Sequence, residues 1–346
     1  MKHIAKILFA AFLSMGISQA ISAQTFYLDA NGVTIKCIDC QAGDAGDVDG
    51  TIYTAVDNAM LQAMAEDYLN QDFTTVCTTL VSDMSELFEN TGATFNQNIG
   101  NWDVSNVTTM HQMFRYCLFN QDISQWDVSS VTDMSQMFSN IPENNNQFNQ
   151  NLGAWNVSNV TNMSGMFTGA IAFNQDIGDW DVSNVTDMSG MFSRAYLFNQ
   201  AIGAWDVSNV TNMGSMFYYA EAFNQAIGGW DVSSVNNMES MFSQTESFNQ
   251  DIGGWDVSNV TSMNTMFGWA NAFNQNIGGW NVSNVTVMIN MFNEASSFNQ
   301  DLGDWNVSNV ASMINMFKDS PFNQDLSGWC VPVSYTHLTL PTICSV

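Results

Sequence analysis

Aspartates recur at a fixed interval along the chain, and their spacing raises the question of an ionic or catalytic site. Asp181, Asp206, Asp231 and Asp256 are each 25 residues apart, and Asp176 belongs to a second acidic series. Carboxylates in register could bind calcium, which prefers oxygen ligands, and a carboxylate pair can hydrolyse glycosides. An acidic face screened by salt is the third interpretation. An enzyme needs one site that differs from the other repeats, so the repetition favours an acidic face screened by salt. The alternative is calcium binding at Asp181, Asp206, Asp231 and Asp256. Catalysis is the least favoured interpretation.

Methionines form a second regular series. Met188 and Met191 have counterparts in almost every copy of the same stretch. Thioethers can bind copper(I), but no histidine or cysteine recurs with these pairs. The sequence therefore predicts that the methionines fill a hydrophobic core.

Aromatic residues occur in the part of each copy that varies most. The five that could form a recognition surface are Tyr116, Tyr196, Tyr218, Tyr219 and Trp269. Variable loops on a rigid scaffold suit recognition of a protein or a glycan, and partial packing on the core is the alternative. An insertion at residues 141–147 lengthens one loop of the same band.

Three cysteines precede or begin the regular pattern. Cys37 and Cys40 are separated by two residues, and Cys77 follows later. A zinc site would lack a fourth ligand, so we expect a disulfide between Cys77 and one of the first two.

The charge balance excludes several classes of function. The 346 residues include 33 acidic and 6 basic residues, with a formal net charge of −27. Nucleic acid binding needs clustered Lys and Arg. Of three histidines, His3 lies near the start and His337 near the end, so His111 alone remains for acid-base chemistry. These features favour a protein that is not an enzyme and has no cofactor other than the calcium considered above.

The two ends differ from the rest of the chain. Residues 1–23 have a basic start, a short apolar run and small residues before the expected cleavage, which predicts a secretory signal peptide and a secreted or cell-surface protein. No segment is apolar for the roughly 20 residues that a membrane helix needs. Residues 333–342 (VSYTHLTLPT) resemble a conceptual translation of a sequencing-library adapter, so we expect residues 333–346 to be a non-native tail.

Between these ends, one unit of about 25 residues repeats from residue 77 to residue 332. In residues 173–197 it begins FNQDIGDWDVSNVTDMSGMF, and the first Phe defines position 1. Alternation at positions 1–5 predicts a short strand, and the apolar residues at positions 13, 16, 19 and 20 predict a short helix. One such unit is too small to fold alone, so the units must stack as a solenoid.

Residues 24–76 have a different composition and are predicted to cap the first repeat. Residues 56–69 (VDNAMLQAMAEDYL) look helical. An exposed repeat end must be covered, because its apolar face would otherwise meet water.

The motif W-D-V-S-N-V-T-x-M-S-x-M-F resembles the repeat of the BspA-like leucine-rich-repeat surface proteins, a family of bacterial surface proteins with 25-residue repeats. The resemblance covers roughly Cys77 to Cys330. It implies an exported leucine-rich-repeat-like solenoid used in adhesion to extracellular proteins or glycans, and no catalytic residues. A calcium-stabilised extracellular matrix protein is the alternative, and an exported carbohydrate-active enzyme is the least favoured hypothesis.

Overall fold

The structure is a computed structural model that describes residues 24–140 and 146–330. The expected signal peptide, most of the insertion at 141–147 and the expected tail lie outside the described residues. Within those residues, named strands and helices occur only before the repeats. The strands are β1 (Thr25–Leu28), β2 (Ile35–Ile38), β3 (Ala45–Val48), β4 (Thr51–Ala55) and β5 (Val76–Cys77), and the α-helix is α1 (Asn58–Glu66).

Two small sheets form the N-terminal segment. β1 and β2 are antiparallel, as are β3 and β4, and β5 joins β4 in parallel. Asp57 begins α1 by accepting a hydrogen bond from the Met60 amide at 2.9 Å, which satisfies a donor that lacks a partner inside the helix. Leu61 and Ala65 are the buried residues of α1. This helix confirms the helical expectation for residues 56–69. No helix among the described residues is long and apolar enough to cross a membrane.

The segment just before the repeats takes the place of a preceding repeat. In the repeats, the indole N–H of position 8 donates to the carbonyl of position 5 one repeat earlier, as Trp205 does to Ile177 at 3.1 Å. Trp102, in the first full repeat, donates instead to the Phe73 carbonyl at 2.9 Å. Phe73 is fully buried and sits in a single-turn 3-10 helix, Phe73–Thr75. A second such helix is Tyr68–Asn70.

The cysteine expectation is wrong. Cys37 is joined to Cys40 by a disulfide, and Cys77 is a buried thiol that contacts the Ile35 carbonyl and the Thr79 hydroxyl, each at 3.5 Å. Burial raises the pKa of Cys77 above its ordinary value. The two-residue spacing lets Cys37 and Cys40 meet across a tight turn after β2.

The predicted strand and helix in each repeat are also wrong. Positions 1–5 form no strand, and positions 13–20 form a series of turns with one isolated parallel bridge at position 15, such as Asp187 to Asn212. Apolar residues at positions 10, 13, 16 and 19 are three apart. That spacing suits consecutive turns closed by N–H to carbonyl bonds three residues back, as Val185 makes to Val182 and Met191 to Met188. A helix period of 3.6 fits it less well.

Alternate backbone N–H groups of each repeat bond to the next repeat. In residues 173–197, Gly190, Phe192 and Arg194 donate to carbonyls of the following repeat at 2.8, 2.9 and 2.6 Å. Positions 18 and 22 adopt left-handed φ in most repeats, including 62° at Gly190 and 58° at Arg194. These left-handed residues break the α-helical path, so half of the donors point out of the repeat and toward its neighbour.

Side chains add a second ladder between repeats. The Asn174 Oδ1 atom accepts hydrogen bonds from the Asn199 amide and the Gln200 Nε2 atom of the next repeat, both at 2.9 Å. The same two bonds recur at Asn199 and at Asn249. The fixed Asn-Gln pair at positions 2 and 3 is therefore structural.

The core of the repeats is a continuous hydrophobic cluster from Val56 to Trp329, and a second, smaller cluster around Phe26 and Ile35 lies in the N-terminal segment. Phe192 stacks on Phe217 of the next repeat with 5.8 Å between ring centres. Met188 and Met191 are fully buried, as are their counterparts in the other central repeats. The prediction that methionine fills the core is confirmed. The chain is thus a repeat protein built mostly of turns and loops, in which each repeat buries its apolar side chains against its neighbours.

A substitution in the asparagine ladder tests this account. Asn224→Ala removes the acceptor for the Asn249 amide and the Gln250 Nε2 atom, 3.0 and 2.9 Å away. Because these partly buried donors would lose their partner, we expect a destabilisation of about 1–3 kcal/mol. Thermal and urea unfolding would measure it. Asn236→Ala is the matched control, since Asn236 is an exposed residue at position 14. Equal midpoints for the two variants would contradict the ladder's role.

Candidate functional site

The five aromatic residues predicted for recognition lie in one band, the variable edge, which comprises positions 21–25 of the repeats. All five are partly buried. Tyr116, Tyr219 and Trp269 occupy position 22, with φ of 55°, 58° and 58°. Left-handed φ disfavours bulky side chains, yet the edge carries them at this position. The surrounding ladder holds the backbone in that conformation.

The structure brings two of these aromatic residues, Tyr218 and Tyr219, together around an arginine. The Arg194 guanidinium carbon lies 5.7 Å from the ring centre of Tyr218 and 5.4 Å from that of Tyr219. The two tyrosine rings meet edge to face at 4.7 Å. Tyr196 shares the repeat of Arg194, and its carbonyl accepts from the Ala222 amide at 3.1 Å. A cation over aromatic faces is stabilised by about 0.5–1 kcal/mol at an exposed site.

Burial raises the pKa of the Tyr219 hydroxyl, and the neighbouring Tyr218 raises it further. The phenol therefore stays protonated at neutral pH and can donate a hydrogen bond. Tyr218, Tyr219 and Arg194 together present hydroxyl and guanidinium donors on one patch, which we call the Arg194 cluster.

Tyr116 lies apart from this cluster and has its own arginine. The Arg115 guanidinium carbon is 4.5 Å from the Tyr116 ring centre, and one guanidinium nitrogen donates to the Tyr116 hydroxyl at 2.9 Å. Another donates to Glu89 at 2.9 Å. Trp269 lies two repeats beyond Tyr219 at the same position, with Gln244 between them. The five predicted aromatic residues thus lie in three separate groups along the variable edge: at Tyr116, near Arg194 and at Trp269.

The arginines are candidate site residues that the sequence interpretation missed. Of the Lys and Arg side chains in residues 24–140 and 146–330, Lys36, Arg115 and Lys318 each have a carboxylate within 4.0 Å. Arg194 is the exception in that part of the chain. The available signal was the alignment of Arg194 with Tyr219, 25 residues later, at position 22.

The aspartates at position 9 have a structural role. The Asp181 Oδ1 atom accepts from the Ser183 hydroxyl at 2.6 Å and the Ser183 amide at 3.1 Å. Asn281 makes the same two bonds with Ser283, at 2.7 and 3.2 Å. Because an amide replaces the carboxylate without loss of these bonds, the turn does not require a charge.

Electrostatics at these aspartates is dominated by the serine donors. The serine hydroxyl, and next the serine amide, lower the pKa of Asp181, Asp231 and Asp256. Asp231 raises the pKa of Asp256, but by less than Ser258 lowers it. Repulsion between carboxylates of neighbouring repeats is thus present at Asp256 and is weaker than the effect of the serine donors.

The calcium expectation stays a prediction. Across the described ranges, no three or more His, Cys, Asp or Glu side chains group closely enough to hold a metal ion. Asp181, Asp206, Asp231 and Asp256 each belong to a different repeat and are exposed. Any calcium ion would have to bridge carboxylates of neighbouring repeats.

Acid unfolding tests the role of position 9. Because the folded pKa of Asp231 and Asp256 is lowered, their contribution to stability is complete above about pH 5 and is lost as pH falls below about 4. Asp231→Asn/Asp256→Asn keeps the turn acceptors but does not titrate. We expect this variant to lose less stability than the parent between neutral and acidic pH, measured as the urea midpoint. Asp231→Ala/Asp256→Ala, the control without acceptors, should be less stable at every pH; parallel pH profiles for parent and Asn variant would contradict this role.

Thermal melts test the calcium prediction. A bridging site predicts that calcium chloride raises the melting temperature more than sodium chloride at equal ionic strength. Asp206→Asn/Asp231→Asn should remove that excess, because calcium needs the carboxylate charge. Equal shifts of the melting temperature with both salts would exclude specific calcium binding and favour an acidic face screened by salt.

The repeats match a known protein family. The DUF285 family model, described as a Mycoplasma protein of unknown function, matches residues 57–147, 139–254 and 245–336. No curated protein matches the chain. Since the three tandem matches cover well over half of the sequence, the chain belongs to the DUF285 family.

Proposed function

We propose that this chain is an exported, non-enzymatic surface protein that binds a protein or glycan partner through its variable edge. The observation that carries the proposal is the Arg194 cluster. It places one cation without a carboxylate partner against two tyrosine rings, at positions where most other repeats have small or polar residues. Aromatic and arginine side chains supply most of the binding energy in recognition sites.

The constant positions of the repeat support this assignment, because their side chains already have structural roles. Phe, Ile, Trp, Val and Met fill the core, Asn and Gln form the ladder, and Asp or Asn at positions 4, 9 and 15 close turns. A catalytic centre would need one repeat whose polar groups differ from these roles. The variable edge differs from repeat to repeat, and its changes leave the stack intact.

The architecture we propose is a solenoid of the leucine-rich-repeat type, related to the BspA-like surface proteins. Tandem DUF285 matches and the hydrogen bonds between successive repeats support it. Export is supported by the signal-like sequence of residues 1–23 and by the Cys37–Cys40 disulfide, because disulfides persist in oxidising compartments.

Binding measurements on glycan and extracellular-protein arrays test the proposal. We expect the parent to bind at least one partner, and Tyr218→Ser/Tyr219→Gln/Trp269→Gln to weaken that binding about tenfold or more. Ser243 and Gln244 already occupy the equivalent positions in another repeat, so the fold should persist. Thr211→Asn is the control away from the edge, because Thr211 is exposed and Asn236 occupies the same position in the next repeat. Binding that survives the triple substitution would exclude these aromatic residues as the site.

A further inference from the structure

A polar trough lies beside the variable edge, between the repeat of Arg115 and the repeat of Ser189. Its volume is about 340 Å³. Its lining consists of one arginine, one tyrosine, one glutamine, four serine or threonine residues and one glycine. At the strand-like spacing of about 4.8 Å between repeats, the four contributing repeats span roughly 14 Å. This length suits a short oligosaccharide better than a single sugar.

The trough exists because two consecutive repeats have glycine at position 18. Gly165 and Gly190 stand where earlier repeats have Gln112 and Gln136. All four residues have left-handed φ, between 54° and 62°. Position 18 therefore accepts a long side chain. The space stays open because Gly165 and Gly190 have no side chain to fill it.

The trough differs in charge from the rest of this acidic protein. None of its lining residues is acidic, although the chain has 33 acidic residues. A groove of comparable volume, about 360 Å³, lies elsewhere on the repeats and is lined by Asp301 and Asp304. The Arg115 guanidinium at one end of the trough is already paired with Glu89 at 2.9 Å. The lining therefore offers mainly neutral hydroxyl and amide groups, and an anionic ligand meets no carboxylate in it.

Arg194 lies beside the other end of the trough. Gly169, which follows the lining residue Thr168, donates to the carbonyl of Ser193 at 2.7 Å, and Arg194 is the next residue. Its guanidinium carbon lies 5.7 and 5.4 Å from the ring centres of Tyr218 and Tyr219, and among the described cations it is the one with no carboxylate within 4.0 Å. An arginine fork matches a carboxylate in a two-point hydrogen bond.

A peptide is a poorer fit than a glycan. Peptides commonly bind by adding a strand to a free backbone edge or by inserting apolar anchors into pockets. Along the trough the backbone donors of Gln136, Gly165 and Gly169 are already bonded to the next repeat, at 2.8, 2.7 and 2.7 Å. The lining is made mostly of hydroxyl, amide and backbone groups, which match sugar hydroxyls.

We propose that the trough and the Arg194 cluster bind an acidic oligosaccharide, with sugar hydroxyls along the trough and a uronic acid carboxylate on Arg194. This inference rests on the proposed function of the variable edge and specifies its ligand. Ring faces of Tyr218 and Tyr219 not covered by Arg194 would pack on the sugar.

Calorimetric titration with tetragalacturonate, tetramannuronate and a short hyaluronan oligosaccharide tests the proposal. Each is compared with its carboxyl-methylated form. We expect at least one acid form to bind about tenfold or more tightly than its ester, because only the acid offers a charged partner to Arg194. Measurements at physiological salt limit long-range repulsion by the protein's net charge.

Three variants locate the site. Arg194→Gln should remove the preference for the acid form, and Gln244 shows that glutamine fits this position at φ 61°. Gly190→Gln should fill the trough and weaken both forms, since an added Cβ there meets no atom closer than 3.7 Å. Gly279→Gln is the control: a Cβ there meets nothing within 4 Å, and Gln125 occupies the same position in another repeat. It should bind as the parent does.

The outcomes separate this inference from the proposed function. If the parent binds an array partner but no acidic oligosaccharide, or if Arg194→Gln keeps the acid preference, the inference fails and the proposed function stands. Equal or tighter binding of tetraglutamate would assign the site to acidic peptides and overturn the glycan. If neither the arrays nor the acidic sugars bind, both proposals fail.

Discussion

Hydrogen bonding between successive repeats is the constraint on which the rest of this structure depends. A repeat of about 25 residues contains no α-helix and no regular strand, so it cannot satisfy its own backbone. Positions 16, 18, 20 and 22 donate to the following repeat, and positions 19 and 21 donate within the repeat, three residues back. This alternation requires left-handed residues at positions 18 and 22. Each repeat is therefore incomplete without its neighbours. The first full repeat has no full repeat before it, and the N-terminal segment supplies the Phe73 carbonyl as the acceptor for the Trp102 indole N–H.

The same constraint separates the constant positions of the repeat from the variable ones. Residues that bond or pack across the repeat boundary cannot change without a loss at the neighbour, which accounts for the constancy of the Asn, Trp and Phe series. Gly178 illustrates this: a Cβ there would lie 2.6 Å from the Ala201 carbonyl of the next repeat. At positions 21, 22 and 24 many side chains point away from these contacts. Arginine, tyrosine and tryptophan appear there in some repeats and glycine or serine in others, and this variation builds the Arg194 cluster, whereas glycine at position 18 opens the trough.

The repeat period and the buried positions could be predicted from the sequence, because the same residue types recur at fixed intervals. The sequence predicts that the methionine series fills the core, and Met188 and Met191 are fully buried. The predicted helix was wrong because apolar residues three apart fit one face of a short helix and also fit a run of turns. Only the φ values at positions 18 and 22 distinguish them, and Gln, Ser, Arg and Tyr at those positions give no hint of left-handed backbone. The Cys77 pairing was wrong because sequence separation does not report distance.

The sequence by itself determined the repeat, its period, the residues that face the core and the band where recognition can vary, because each of these follows from which residue types recur at which interval. The tertiary structure decided which side chains of that band meet. Arg194 and Tyr219 are 25 residues apart, and Gly165 and Gly190 are likewise in different repeats. They become neighbours because the inter-repeat hydrogen bonds place equal positions of successive repeats side by side. The pairing of Lys36, Arg115 and Lys318 with carboxylates, which leaves Arg194 distinct among the described cations, was also decided in three dimensions.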